Sequence, residues 1–213
     1  MTSRQEHSRR TILRWSAGAA GILVCGSMLP NFGISSALAA DLGEGDVAIL
    51  NYAYALEQLE AAFYTKVTDH PFKGATQQEI ETFAEIRDHE RAHVDFFKKA
   101  LGDHAIPVIE VDFDRRSSVL GAADAFENLG VAAFNGAGPL LVNADYLAAA
   151  GTIVSVEARH AAMISALLHG PSSASAGKGH VSSKGLDSTM PPSKVLVQAK
   201  PFIRTPLTAA SLN

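Results

Sequence analysis

The sequence predicts an all-α protein, a four-helix bundle with one long crossover between its second and third helices. Three observations predict it. Four proline-free segments of 20 residues or more place apolar residues at helical spacing. Links of about nine and about five residues join the first segment to the second and the third to the fourth, which makes each pair antiparallel neighbours, whereas about fourteen residues separate the second from the third. Each segment also carries a glutamate in the middle of its apolar stripe.

The chain opens on a segment that reads as an address. Ser8-Arg9-Arg10-Thr11-Ile12-Leu13-Arg14 precedes an apolar run from Trp15 to Leu29, and Ala37-Leu38-Ala39 offers a small-x-small cleavage site. The paired arginines resemble the pattern S-R-R-x-F-L-K of a twin-arginine export signal, with Ile12 for Phe and Arg14 for Lys. The alternative, a membrane anchor, needs about 20 apolar residues, and this run is shorter and interrupted by Gly18, Gly21, Gly26 and Pro30. Residues 1–39 are therefore expected to be a signal peptide. The processed protein would be periplasmic or secreted and would keep no transmembrane anchor.

Composition narrows the function classes. The 213 residues are 47% hydrophobic and 19% charged, an ordinary globular balance. A net charge of −4 argues against a nucleic-acid partner. Removing Arg4, Arg9, Arg10, Arg14 and Glu6 from the 18 basic and 22 acidic residues leaves 14 and 21, a net charge of −7. The lone cysteine, Cys25, excludes a disulfide scaffold and cysteine-based metal sites, and no glycine-rich phosphate loop is present.

The bundle is expected over residues 40–170. Its first helix runs from about Asp46 to Val67 after Gly43-Glu44-Gly45. The second runs from Thr76, with Glu79 completing a capping box, to Leu101, with Gly102 as its stop. The crossover, Asp103–Arg116, contains Pro107 and the β-branched core Val108-Ile109-Glu110-Val111. At about 3.3 Å per extended residue it reaches about 40 Å, the length of a helix of about 26 residues. The third helix runs from about Ser117 to Ala137, before Gly138-Pro139, and the fourth from Asn143 to His169-Gly170-Pro171. Residues 171–213 turn to Ser, Gly, Lys and Pro, which predicts an irregular tail with a short packed helix at 193–203.

At heptad spacing the inward positions of the second helix are Phe83, Ile86, Glu90, His93, Phe97 and Ala100; those of the fourth are Ala150, Ile153, Glu157, His160, Ile164 and Leu167. The first helix presents Leu50, Ala53, Glu57, Glu60, Tyr64 and Val67, and the third Leu120, Ala123, Glu127, Gly130, Phe134 and Ala137. Glu57 and Glu90 lie equidistant from the first turn, and Glu127 and Glu157 from the second, so all four fall near one layer. Burying even one unpaired carboxylate costs several kcal/mol. Two divalent cations would neutralise four carboxylates, with both imidazoles as neutral ligands. One Glu from each of two helices and Glu-x-x-His from each of the other two is similar to the donor set of di-iron and di-manganese carboxylate bundles.

The segments Asn51–Tyr64, Asp88-His89-Glu90-Arg91-Ala92-His93 and Val156-Glu157-Ala158-Arg159-His160 resemble the exported ferritin-like family that includes desiccation-related proteins, and Phe126–Phe134 resembles its third-helix segment. The likeness spans about Asp46–Leu168, with a weaker match at Val195–Ile203. It implies Glu57, Glu90, His93, Glu127, Glu157 and His160 as ligands of two iron or two manganese ions. It also implies oxidoreductase chemistry on dioxygen, peroxide or ferrous iron in stress protection, of peroxidase, catalase or ferroxidase type. The alternative is a non-enzymatic stress-associated protein with a structural or vestigial metal site. Glu60 has Gly130 as its third-helix counterpart; rubrerythrins also have a seventh carboxylate, on the third-helix side. Glu60 is thus a candidate seventh ligand or proton carrier, and Tyr64 a candidate redox or ligand-orienting residue. The Cys-rich electron-donating module of rubrerythrins is absent.

Other residues carry smaller expectations. Arg87, Arg91 and Arg159 would have to clasp the glutamates if the site were decayed, yet they point off the seam. His70, His89 and His104 are expected on the surface, and His169 and His180 flank the tail, where they could bind metal adventitiously. Asp124, one turn before Glu127, is a candidate for orienting a ligand histidine. Tyr52 and Tyr54 are expected to pack or to meet a partner, and a homo-oligomer is compatible with the sequence.

Overall fold

The computed structural model describes residues 39–111, 119–174, 179–208 and 212. All of the expected signal except Ala39 lies outside them, as do residues 112–118 at the end of the crossover. The four long helices are α1 (Gly45–Asp69), α2 (Gln77–Leu101), α3 (Val119–Ala137) and α4 (Ala144–His169). They pack as two hairpins, α1 on α2 and α3 on α4. This is the four-helix arrangement that the connection lengths predict.

Local chemistry sets the helix ends. Thr76 caps α2: its Oγ1 accepts from Glu79 N at 3.2 Å, and its own N–H donates to Glu79 Oε2 at 2.7 Å. Asn143 caps α4 by accepting from Asp145 N at 2.8 Å. Gly102 ends α2 at φ +55° and Gly170 ends α4 at φ +95°, left-handed backbone that favours glycine. Asp46 in the first turn of α1 accepts from the N–H groups of Val142 and Asn143, both at 2.8 Å, and so ties the start of α1 to the α3–α4 turn.

The helices are buried unequally. α2 and α4 each bury one stripe, six of 25 residues and five of 26. α1 buries 16 of 25, including every residue from Ala48 to Glu60. The difference comes from what lies over α1. Asn51 on its outer side donates to the carbonyls of Leu42 (3.1 Å) and His104 (2.8 Å) and accepts from Ile106 N (2.9 Å). Gln58, two turns on, accepts from Ile109 N at 2.9 Å. Two buried amides thus pin the crossover along α1, satisfying extended backbone that has no ladder of its own.

The described residues of the tail lie against the bundle. After the short helix α5 (Pro171–Ala174), Met190 N donates to the Ala132 carbonyl at 2.9 Å and Asn135 Nδ2 to Ser188 O at 3.1 Å. Helix α6 (Pro192–Ala199) then buries Val195 and Ala199 completely, and Phe202 meets Phe126 edge-on at 5.2 Å. Arg204 N donates to Glu110 O at 2.7 Å, Val111 pairs antiparallel with Ile203, and β1 (Ala40–Asp41) pairs parallel with β2 (Leu207–Thr208). The tail therefore runs along α3 and joins both the crossover and the start of the bundle. Among the described residues no helix is long and apolar enough to cross a membrane.

Candidate metal centre

The heptad seam brings its acidic and imidazole residues to one layer. Glu57, Glu90, Glu127 and Glu157 are fully buried, and His93, His160, Glu60 and Tyr64 nearly or fully so. His93 Nδ1 lies 3.1 Å from Glu57 Oε2, 3.2 Å from Glu157 Oε1 and 3.4 Å from Glu90 Oε2. His160 Nδ1 lies 2.9 Å from Glu90 Oε1, 3.4 Å from Glu127 Oε2 and 4.0 Å from Glu157 Oε1. Glu90 and Glu157 therefore face both imidazoles, Glu57 faces only His93, and Glu127 only His160. The result is two overlapping groups, Glu57–Glu90–His93–Glu157 and Glu90–Glu127–Glu157–His160, each with ligand atoms within 4.8 Å of one another.

Carboxylates outnumber imidazoles in the layer, five to two. Burial, only partly offset by His93, raises Glu57 well above the usual carboxylate range. Burial and then repulsion from Glu157 and Glu90 do the same to Glu60. Burial raises Glu157 and pushes Glu127 up to about 8, against the pull of His160. Glu90 alone goes down: burial opposes it, but the two imidazole rings hold it at about 2. Both histidines are raised despite burial, His160 to about 10, because carboxylates surround them.

Orphaned atoms make the same point. Glu57 Oε1, both oxygens of Glu90 and of Glu157, Glu127 Oε2 and His160 Nδ1 are buried without an aligned hydrogen bond. In a folded interior such groups are paired. Among the described residues the three arginines nearest in sequence go elsewhere: Arg87 pairs with Asp88 at 2.8 Å, Arg91 donates to Thr65 Oγ1 at 3.1 Å and Arg159 to Ser155 O at 2.8 Å. A crowded set of carboxylate oxygens and imidazole nitrogens without aligned hydrogen bonds could hold a metal ion.

Three residues adjoin the layer. The Tyr64 hydroxyl donates to Glu127 Oε1 through a short hydrogen bond. The Glu60 carboxylate sits over Gly130, where a Cβ would lie 3.1 Å from Glu60 Oε1 and 3.3 Å from Glu157 Oε2. Glu60 contributes to neither four-residue group. His89 lies on the surface as expected, yet its Nδ1 lies 3.0 Å from His160 Nε2, with the rings within 9° of parallel. Position 89 lies off the heptad seam, and its one sequence signal is its place directly before Glu90. Asp124 does not orient a histidine; its carbonyl and Oδ1 accept from Asn128 Nδ2 one turn on, at 2.8 and 3.3 Å. Neither His169 nor His180 joins a candidate group among the described residues. Tyr52 and Tyr54 are buried in the core.

Comparison with curated proteins gave no match. A family model described as a ferritin-like domain matches residues 45–170, from the start of α1 to just past α4. That span is more than half of the chain and holds all eight residues of the buried layer. The chain belongs to the ferritin-like domain family.

Proposed function

We propose that this layer holds two iron or two manganese ions and that the protein is an oxidoreductase acting on dioxygen, peroxide or ferrous iron in stress protection, exported by the twin-arginine route. The observation that carries the reading is the double facing of Glu90 and Glu157, each against both imidazoles with neither oxygen in an aligned hydrogen bond. Glu90 and Glu157, common to both groups, would hold the ions together with Glu57 and His93 and with Glu127 and His160. Bound there, such ions supply the electron transfer that protein side chains lack. Glu60, buried and raised, carries a proton beside Glu157. Tyr64 holds one oxygen of Glu127 and leaves the other free. The surrounding apolar core excludes bulk water.

Metal-reconstituted protein tests this by peroxide consumption and ferrous oxidation. Activity lost in Glu90→Ala and Glu157→Ala with the helical fold retained supports the enzyme; no activity in the reconstituted wild type refutes it. A non-enzymatic stress-associated protein with a structural metal is the second reading. It is favoured by the absence of any cysteine beyond Cys25 to pass electrons in. It predicts that the same variants lose the fold and that no turnover is found.

A further inference from the structure

A cavity of about 20 Å³ lies between the four helices, on the side of the buried layer nearer the α3–α4 turn. Its inner wall includes Ala53 of α1, Phe97 of α2 and Ala133 of α3. Ala53 comes one helical turn before Glu57, and Phe97 one turn after His93, so the cavity approaches the layer to within a turn, about 5–6 Å along the helix axes. The lining residues of α1, α2 and α3 are buried, whereas Leu141 and Ala150 at the outer end are only half-buried.

The walls select by polarity and by size. Every lining side chain is apolar except that of Tyr52, whose buried hydroxyl has no hydrogen-bond partner among the described residues. A buried water needs about two to four polar partners, and the lining side chains offer one at most. Hydrogen peroxide carries two O–H donors and meets the same obstacle, at about 1–3 kcal/mol for each buried group left unsatisfied. Dioxygen makes almost no hydrogen bonds in water and gives up none on entry. A space of this volume admits one molecule about as large as water and excludes an organic substrate.

We propose that this cavity docks dioxygen one helical turn from the layer, and that dioxygen, rather than peroxide, is the oxidant delivered to the Glu57 and His93 side. This rests on the oxidoreductase reading above and chooses among its substrates. The half-buried end at Leu141 and Ala150 is the way in, and the unbroken apolar wall keeps water from following.

The test begins on metal-free protein, with alanine methyl relaxation measured by NMR under dioxygen pressure and under nitrogen. Dioxygen is paramagnetic and speeds the relaxation of methyls beside it. Ala53 and Ala133 are expected to respond more strongly than the fully buried Ala123, which lies ten residues before Ala133 and does not line the cavity. Ala133→Leu at the inner end and Ala150→Leu at the half-buried end fill the space, and each should abolish the excess at Ala53. Circular dichroism checks the fold, and Ala150→Leu carries the test if the inner substitution does not fold. The proteins are then loaded with Fe(II) anaerobically and mixed with either oxidant. Each oxidant takes two electrons and two protons, dioxygen leaving as hydrogen peroxide and peroxide as two waters. In the filled variants oxidation by dioxygen should slow about tenfold, equivalent to about 1.4 kcal/mol of lost docking, while oxidation by peroxide stays within about twofold of the wild type. No excess relaxation in the wild type, equal slowing of both oxidants, unchanged oxidation by dioxygen in a filled variant, or a wild type oxidised by peroxide alone overturns the inference and leaves the oxidoreductase reading standing. A loaded wild type that neither oxidant oxidises overturns both.

Discussion

Gly130 on α3 leaves open the space that the Glu60 carboxylate of α1 fills; a Cβ there would lie 3.1 Å from Glu60 Oε1. Gly130→Ala therefore sets two effects against each other. Alanine favours the helix by about 1 kcal/mol over glycine, whereas the methyl displaces a carboxylate that has little room to move. The melting temperature is expected to change by only about 4 °C. Ferrous oxidation is expected to fall at least about tenfold, as it should in Glu60→Gln, if Glu60 carries protons. Unchanged stopped-flow rates in both variants would remove Glu60 from the chemistry.

The metal-free protein should lose stability as pH rises. Glu57, Glu60, Glu127 and Glu157 and both histidines bind protons more tightly folded than unfolded. Each contributes stability that is complete below its ordinary value and lost as pH climbs through its folded value. For Glu127 that window runs from 4.5 to about 8, and for His160 from 6.5 to about 10. Glu90 has the opposite sign, with stability present above 4.5 and lost as pH falls toward about 2. Every retained proton contributes a slope of up to about 1.4 kcal/mol per pH unit. Cations displace these protons, so metal affinity rises with pH. Calorimetry at pH 5, 7 and 9 should show the metal-free melting temperature falling and the gap to the Mn(II)-loaded protein widening. A metal-free protein that grows more stable across that range would contradict the assignment.

What the sequence discloses follows from side-chain periodicity. A glutamate in an apolar stripe is conspicuous, and Glu57, Glu90, Glu127 and Glu157 could be matched by level once the short links made each pair antiparallel. The covering of α1 and α3 was not legible in this way. It depends on backbone pairing, such as Met190 N to Ala132 O and Arg204 N to Glu110 O, which leaves no repeating mark on residue type. His89 escaped for a related reason: its contact is set by how closely α2 and α4 approach, and heptad position describes one helix at a time. Asp124 misled because an acceptor one turn from Asn128 finds its partner locally.

Asn51 tests the pinning of the crossover. Its side chain makes three hydrogen bonds to the backbone of Leu42, His104 and Ile106 while buried to 1% exposure. Asn51→Leu leaves two carbonyls and one N–H without those partners, and each unsatisfied buried group costs about 1–3 kcal/mol. Part of that is recovered by apolar burial, so a loss of about 2–4 kcal/mol is expected in urea unfolding. A loss below about 1 kcal/mol would mean that the crossover holds its place without this residue.

The tail makes the sharpest stability prediction, because it touches backbone. A Cβ on Gly136 of α3 would lie 1.9 Å from the Met190 carbonyl oxygen and 2.6 Å from its carbon. A main-chain carbonyl cannot rotate away as a side chain can, so Gly136→Ala must lift the Leu186–Met190 segment or bend α3. The Met190 N to Ala132 O bond, the Asn135 contact to Ser188 and the seating of α6 all lie close to that clash. A cost of about 2–4 kcal/mol is expected, with faster proteolysis after residue 185 than in the wild type. Gly151→Ala on α4 is the control: among the described residues no atom beyond its chain neighbours and its own helix backbone lies within 4 Å of its Cβ position. There the helix preference of alanine acts alone and should add up to about 1 kcal/mol. Opposite signs for two Gly→Ala changes, both inside long helices, would show that the tail is part of the folded bundle; equal signs would show that it is not.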